Sequence, residues 1–483
     1  MLKTDNIKRN YFYSLLFQII NIIIPIITTP YLSRVLGVGK VGVYSFTYSF
    51  VSIFIMIASL GAGTYGQRTI ASNIHDKEKI SSSFVGIQTI KTISIILFMI
   101  IYIFVFCIEG ENSIYFLIQI PYFIAAILDI SWFYQGIEDF KFISLRNIMV
   151  KIICLILIFC LIKTPEDLSI YLLLLSLSMV FGNFVMWIKI SKHIKKVKVE
   201  KHEILSHIRP MIVFFIPTIA YQIHMVSDKI MLGLMVEGTE ENGYYEQAHK
   251  IINILITVVS SFNVVMRSRM TNLYSKGNEI EFKEKMNASI CFVGFLIFPM
   301  ALGLFSISRN FIPWFLGEEY TKVIKILMVF SPMFIFQGMR SCIGSSIITP
   351  CYLQKKANIA QCACSIVNII LNLFFINLLL SVGAAISSVV AEMILLIGYI
   401  IISKKYINLK SICKIIYKFF IAALIMTVFI FPLSYLLKST IINTFLLICL
   451  GCFIYILTLI LLKERFITQN LKSIFKKKEG TIC

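Results

Sequence analysis

The stretch Thr28–Phe50, "TTPYLSRVLGVGKVGVYSFTYSF", lies between two long apolar runs. It sets Arg34 and Lys40 among glycines 37, 39 and 42, with no acidic residue. A surface loop of a soluble protein would be longer and richer in acids. The spacing predicts a tight connection between two membrane helices with cations at its mouth, and that reading decides the fold class.

The rest of the chain agrees. Of 483 residues, 58% are hydrophobic and 14% charged, where a soluble domain has about a quarter charged. A hydrocarbon core of ~30 Å needs ~20 helical residues per crossing, and runs of that length recur from Tyr11 to Leu462. Barrel strands would instead alternate over ~10 residues. The polar start "MLKTDNIKRN" enters the first run without a small-residue cleavage site, so no cleaved signal peptide is expected. The twelve cysteines are scattered through apolar runs, which predicts no disulfides. "CAC" at 362–364 and "CLGC" at 449–452 lack a second pair or a nearby His, so no metal site is expected.

Helices are expected at 11–33, 41–62, 84–107, 114–134, 145–162, 169–190, 210–236, 244–266, 288–308, 321–345, 358–380, 382–403, 415–437 and 439–462. These fourteen crossings put both termini on one side. That side's loops carry 34 of the 45 basic residues and the opposite loops five, so the positive-inside rule makes both termini cytoplasmic. The formal charge of +20 is then an orientation signal, and no nucleic-acid partner is expected.

The basic segment "SKHIKKVKVEKHEILSHIR", 191–209, divides the chain after six helices. An offset of 211 carries Pro121 onto Pro332, Asn147 onto Asn358 and Asp129 onto Arg340. Two six-helix copies separated by an even number of crossings have the same orientation, which is a transporter architecture. The expected organisation is an N-terminal lobe with its basic linker at 1–209, a second six-helix lobe at 210–408, and two further helices with a basic tail at 409–483.

Ionisable groups inside spans cost at least ~2.5–3.5 kcal/mol at the bilayer centre unless they face a polar interior. Glu392, near the middle of its helix, is a candidate coupling or gating site; Asp129 and Asp228 are further candidates. Arg34, Lys91, Lys229, Lys250 and Arg340 are candidates for a cationic cavity. Competing structural readings are snorkelling for Lys91, interface anchoring for Arg34 and Lys250, and an Asp129–Arg340 ion pair. Pro121 and Pro332, paired by the repeat, are candidate hinges. Aromatics such as "YSFTYSF" at 44–50 are mostly packing or belt residues, and some can stack on sugars. No nucleophile elbow, zinc signature or phosphate loop is present, and the outer loops are short, so catalysis is not expected.

"PYLSRVLGVGKVGVYSF", "LGAGTYGQRTIA" at 60–71, "WFYQGIEDFKFISLRN" at 132–147 and "NGYYEQAHKI" at 242–251 resemble the polysaccharide transporter family, including the O-antigen flippases called Wzx. The resemblance extends over nearly the whole chain. It implies two six-helix bundles in a V, as in the multidrug and oligosaccharidyl-lipid exporter superfamily, and alternating access. It implies a flippase that moves undecaprenyl-pyrophosphate-linked oligosaccharide to the outer leaflet of a bacterial cytoplasmic membrane, with H+ or Na+ as candidate coupling ions. The implied partners are the lipid bilayer and, as candidates, a polysaccharide polymerase and chain-length proteins. Only Arg34 carries over as a motif match. By resemblance to peptidoglycan-precursor flippases, the last two helices border a groove for the prenyl tail. The alternatives are a multidrug/cation antiporter of the same superfamily or a membrane glycan-modifying enzyme.

Overall fold

The computed structural model describes residues 4–464, and among them there is no strand. Lys3 and the basic residues beyond Glu464, which contribute to the charge bias, lie outside the described residues. The chain forms two compact units, Met1–Glu246 and Gln247–Cys483.

The first unit contains α1 (Thr4–Ala58), α2 (Ala62–Ser72), α3 (Lys77–Tyr102), α4 (Ser113–Ile118), α5 (Pro121–Leu128), α6 (Ser131–Gly136), α7 (Phe140–Leu161), α8 (Leu168–Ile190), α9 (Lys201–Ser206), α10 (Ile208–Met235) and the first turns of α11 (Glu240–Ser275). The second unit continues with the rest of α11, then α12 (Glu279–Phe315), α13 (Thr321–Ile343), α14 (Gln354–Leu379), α15 (Ser381–Ser403), α16 (Leu409–Leu436) and α17 (Ile441–Leu461).

Among the described residues, twelve helical spans are long and apolar enough to cross a membrane. The sequence leads to fourteen, and the difference arises at two places. The first two expected helices are one run, Leu16–Ala58, interrupted at Gly37, whose φ of 73° and ψ of 170° are not helical; only glycine takes such a backbone without strain. The second place is α10, which lies outside the twelve.

The expected helix at 114–134 is broken into α4, α5 and α6. Pro121 has no N–H to continue a helix from α4 and opens α5 instead. Asp129 is extended, with ψ of 106°. A break inside a membrane exposes helix-terminal carbonyls that need donors, and side chains of α3 and α8 supply them. Asn183 Nδ2 donates to Ala125 O at 2.7 Å, Gln88 Nε2 to Ile127 O at 2.6 Å, Trp187 Nε1 to Leu128 O at 2.8 Å and Lys91 Nζ to Asp129 O at 2.6 Å.

The linker between α8 and α10 docks on the first unit. Lys195 N donates to Ser81 Oγ at 2.9 Å. Ile194, Ile204 and Ile208 pack on a core that includes Phe84, Trp132 and Phe133. His207 Nδ1 is 2.8 Å from Tyr65 OH, and its ring lies where a Cβ on Gly86 would be 2.7 Å from Cδ2. Burial holds the His207 imidazole below its ordinary pKa, with Glu203 opposing.

The compact division falls after α10 because α10 packs on α1, α2 and α9; a Cβ on Gly61 would sit 2.7 Å from Met211 O. In the second unit, α16 and α17 are fastened to α12. Asn310 Nδ2 donates to Lys438 O at 2.8 Å, and Trp314 Nε1 to Thr444 Oγ1 at 2.7 Å. Lys418 Nζ donates to Leu462 O at 2.9 Å and faces Glu464 at 3.4 Å, a cation where the helix dipole favours one.

Candidate functional site: a charged and aromatic recess in the first unit

The glycines of the opening stretch bring two backbones together. After the break at Gly37, α1 runs against the start of α11 so closely that a Cβ on Gly42 would be 1.7 Å from Thr239 O. A Cβ on Gly243 would be 2.2 Å from Val38 O. Thr239 Oγ1 donates to Gly39 O at 2.9 Å. Any larger residue at 42 or 243 separates these segments.

One turn further along, the close approach sets side chains of α1, α10 and α11 face to face. Lys229 Nζ is 2.7 Å from Glu246 Oε2, with side chains 15% and 9% exposed. Ser45 Oγ donates to the same oxygen at 3.0 Å. Beside them the Tyr245 hydroxyl donates to the buried Asp228 carboxylate. The pair stands at mirrored positions of a helical hairpin: Lys229 is six residues before the end of α10 at Met235 (235−229), and Glu246 is six after the start of α11 at Glu240 (246−240).

Tyrosines of three helices wall this recess. Tyr44 and Tyr48, one turn apart on α1, have centroids 5.6 Å apart in a stacked arrangement. Tyr44 meets Tyr171 of α8 edge-on at 5.5 Å, and Tyr48 meets Tyr122 of α5 at 5.2 Å. Tyr44, Tyr48 and Tyr171 are within electrostatic reach of Glu246.

The candidate residues of the sequence take several positions. Asp228 and Lys229 share the recess. Arg34 is exposed. Lys91 is 4% exposed and turned inward to the α5 carbonyl, so it does not snorkel. Asp129 sits at the same break and accepts from Ser131 N at 2.8 Å. Pro121 starts a helix and Pro332 lies within α13. Lys250 is half-buried on α11.

In the second unit Arg340 pairs with Glu392: Nε to Oε2 is 2.8 Å and Nη2 to Oε1 is 3.2 Å. The guanidinium also lies 5.9 Å from the Tyr399 ring centroid. Within the second unit the carboxylate engaged by Arg340 is thus Glu392, 52 residues on. Sequence reasoning missed Glu246, Ser45, Tyr122 and Tyr171. The signal was available for Glu246 alone, in its mirrored position to Lys229 across the turn; the others depend on contacts between distant segments. No group of three or more His, Cys, Asp or Glu side chains suited to a metal occurs among the described residues.

Residues 7–267 match the model of a family described as polysaccharide biosynthesis protein. The chain belongs to that family. It is 22% identical over 395 residues to an Escherichia coli (strain K12) protein provisionally named an O-antigen transporter, covering 80% of this chain and 94% of that protein. A protein of the same name from Shigella dysenteriae is 22% identical over 322 residues, covering 65% and 79%. Among solved structures, the chain resembles the lipid II flippase MurJ in an inward closed conformation, with a TM-score of 0.75, 18% identity, and coverage of 94% and 100%. It also resembles a eukaryotic MATE transporter, with a TM-score of 0.58, 13% identity, and coverage of 86% and 98%. These likenesses show that the chain shares the fold of those two proteins. The proteins it resembles are transporters and flippases, not enzymes.

Proposed function

We propose that this multi-pass membrane protein is a flippase for undecaprenyl-pyrophosphate-linked oligosaccharide, moving it from the cytoplasmic to the outer leaflet of the bacterial cytoplasmic membrane for surface polysaccharide synthesis. Such a substrate has a diphosphate and sugars that cannot cross hydrocarbon and a prenyl tail that cannot leave it. The carrier therefore needs a polar interior and an apolar groove open to lipid.

The observation that carries the lipid part of this reading is a groove of about 400 Å³ in the second unit, between α12, α16 and α17, with Phe295, Pro299, Gly303, Met426, Gly451 and Tyr455 in its walls. Its surface is almost wholly apolar, and Gly303 and Gly451 keep it open. Family membership and the name of the Escherichia coli relative support the saccharide part. On this reading the six-helix lobes at 1–209 and 210–408 rock against each other, both termini are cytoplasmic, and H+ or Na+ drives the cycle. Arg34, Lys250 and Arg340 remain candidates for meeting the diphosphate, and a polymerase and chain-length proteins act downstream.

The test is reconstitution into proteoliposomes with lipid-linked oligosaccharide labelled on the sugar. Flipping is expected to expose the sugar to an added lectin, and Gly303→Leu with Gly451→Leu to slow it at least about tenfold by filling the groove. Wild-type protein that leaves the sugar inaccessible, or a groove variant flipping at the normal rate, overturns the proposal.

A further inference from the structure

We infer that Tyr44, Tyr48, Tyr122 and Tyr171, beside the Lys229–Glu246 pair, form a subsite that recognises the sugar portion of the substrate and sets which saccharide is carried. The inference rests on the flippase reading and deepens it.

Four tyrosines from α1, α5 and α8 gather with ring centroids 5.2–5.6 Å apart. The adjoining core of the same unit is built from phenylalanines, with Phe46, Phe50, Phe106 and Phe116 4.7–6.2 Å apart. Packing alone is thus satisfied by Phe in this region, and the hydroxyls of the tyrosines need their own explanation. Among the described residues, the phenol oxygens of Tyr48, Tyr122 and Tyr171 have no hydrogen-bond partner in the protein. None of these oxygens is among the buried side-chain atoms left without a partner, so they reach open space, and three together present donors and acceptors to polar groups that the protein does not provide.

The charge balance selects the class of ligand. Glu246 is already matched by Lys229 at 2.7 Å and the Asp228 carboxylate is engaged by the Tyr245 hydroxyl, so both carboxylates are occupied within the protein rather than open to a cation. Asp228 and Glu246 together repel a phosphate. The rings meet one another in one stacked, one edge-on and one tilted pair rather than forming an open cage around a quaternary ammonium. A neutral ligand with many hydroxyls, flat apolar C–H faces and no charge fits this wall: a carbohydrate stacks on tyrosine rings and exchanges hydrogen bonds with phenols. A site built to bond hydroxyls also rejects analogues that lack them.

The experiment measures binding to the purified full-length protein in detergent by microscale thermophoresis. The two probes are bare undecaprenyl pyrophosphate and the lipid-linked saccharides extracted from the producing strain. The variant is Tyr48→Phe/Tyr122→Phe/Tyr171→Phe, which keeps the rings and removes only oxygen. Affinity for the saccharide-bearing lipid is expected to fall at least about tenfold, from three neutral hydrogen bonds lost, while bare lipid binds unchanged. Tyr48→Phe and Tyr122→Phe singly are expected to give about two- to fivefold losses, and they carry the test should the triple variant not fold. Equal weakening of both probes, or no change in either, overturns the sugar subsite and leaves the flippase reading standing. Wild-type protein that binds neither probe overturns the flippase reading and the subsite with it.

Discussion

Neutralising one member of the Lys229–Glu246 pair is expected to be more harmful than removing both. At 2.7 Å and an effective dielectric of about 20, the two charges attract by about 6 kcal/mol. Desolvation offsets most of this, so the intact pair is worth far less than the Coulomb figure. Lys229→Met, however, leaves a carboxylate 9% exposed without its ammonium, and a buried pair broken on one side costs about 3–5 kcal/mol. Unfolding entropy of about 2 cal/mol/K per residue over a unit ending at Glu246 converts this to a fall in Tm of about 6–10 °C. Glu246→Gln is expected to fall by a similar amount. Lys229→Met/Glu246→Leu, with no charge left behind, should recover most of the loss, giving a coupling above about 3 kcal/mol in a double-mutant cycle. The assay is thermal unfolding of detergent-purified protein followed by tryptophan fluorescence. Additive losses, with coupling under about 0.5 kcal/mol, would refute the claim that these two residues hold each other's charge.

Three other outcomes follow from the geometry. Gly42→Ala and Gly243→Ala drive a Cβ into backbone at 1.7 and 2.2 Å; each should destabilise this conformation by about 1–3 kcal/mol or more, read as faster hydrogen exchange at residues 38–46 and 239–246, and wild-type exchange would refute the close approach. Because burial depresses the His207 pKa, the unfolded linker binds more protons than the docked one. The docking contribution is therefore complete above about pH 6.5 and declines as pH falls through and below that value; exchange of amides 201–209 should rise on acidification in wild type and become pH-independent, after correction for intrinsic rates, in His207→Phe. Lastly, Arg340→Gln and Glu392→Gln should each lower Tm, by about 3–5 kcal/mol in stability, and the Arg340→Glu/Glu392→Arg exchange should partly restore it; a swap no better than the single variants would show that the bidentate pair is not what holds α13 to α15.

Helix positions were legible because a hydrocarbon solvent leaves little choice: apolar runs of crossing length became helices, although α3, α11 and α12 run well beyond the expected ends, to Lys77, Ser275 and Glu279. The breaks were only partly legible. Gly37 was expected in the connection between two helices, and its non-helical dihedrals do interrupt α1 there, but the backbone contact that Gly42 makes with residue 239 had no local signal. The interruption at Asp129 depends on Gln88, Lys91, Asn183 and Trp187, donors on two helices distant in sequence with no local signature. Charge alone placed Lys91 in a cavity, whereas its hydrogen bond puts it on a helix end. Glu392 was singled out for its cost in a span, and its pairing was unreadable because Arg340 lies on another helix.

The length of α11 and α12 has a practical consequence. With 36 and 37 residues, at ~1.5 Å each they are about 54–56 Å long, against a hydrocarbon thickness of ~30 Å. Beyond the apolar runs at 244–266 and 288–308, the nine residues of each helix next to the turn at Gly277, 267–275 and 279–287, give about 14 Å of paired, charged helix suited to water. A stiff water-exposed rod joined without a hinge to membrane-embedded helices is a ready-made fiducial: an antibody fragment or a fused helical domain grafted there would report the orientation of the second unit in single-particle images, where a small membrane protein buried in a micelle otherwise offers nothing to align.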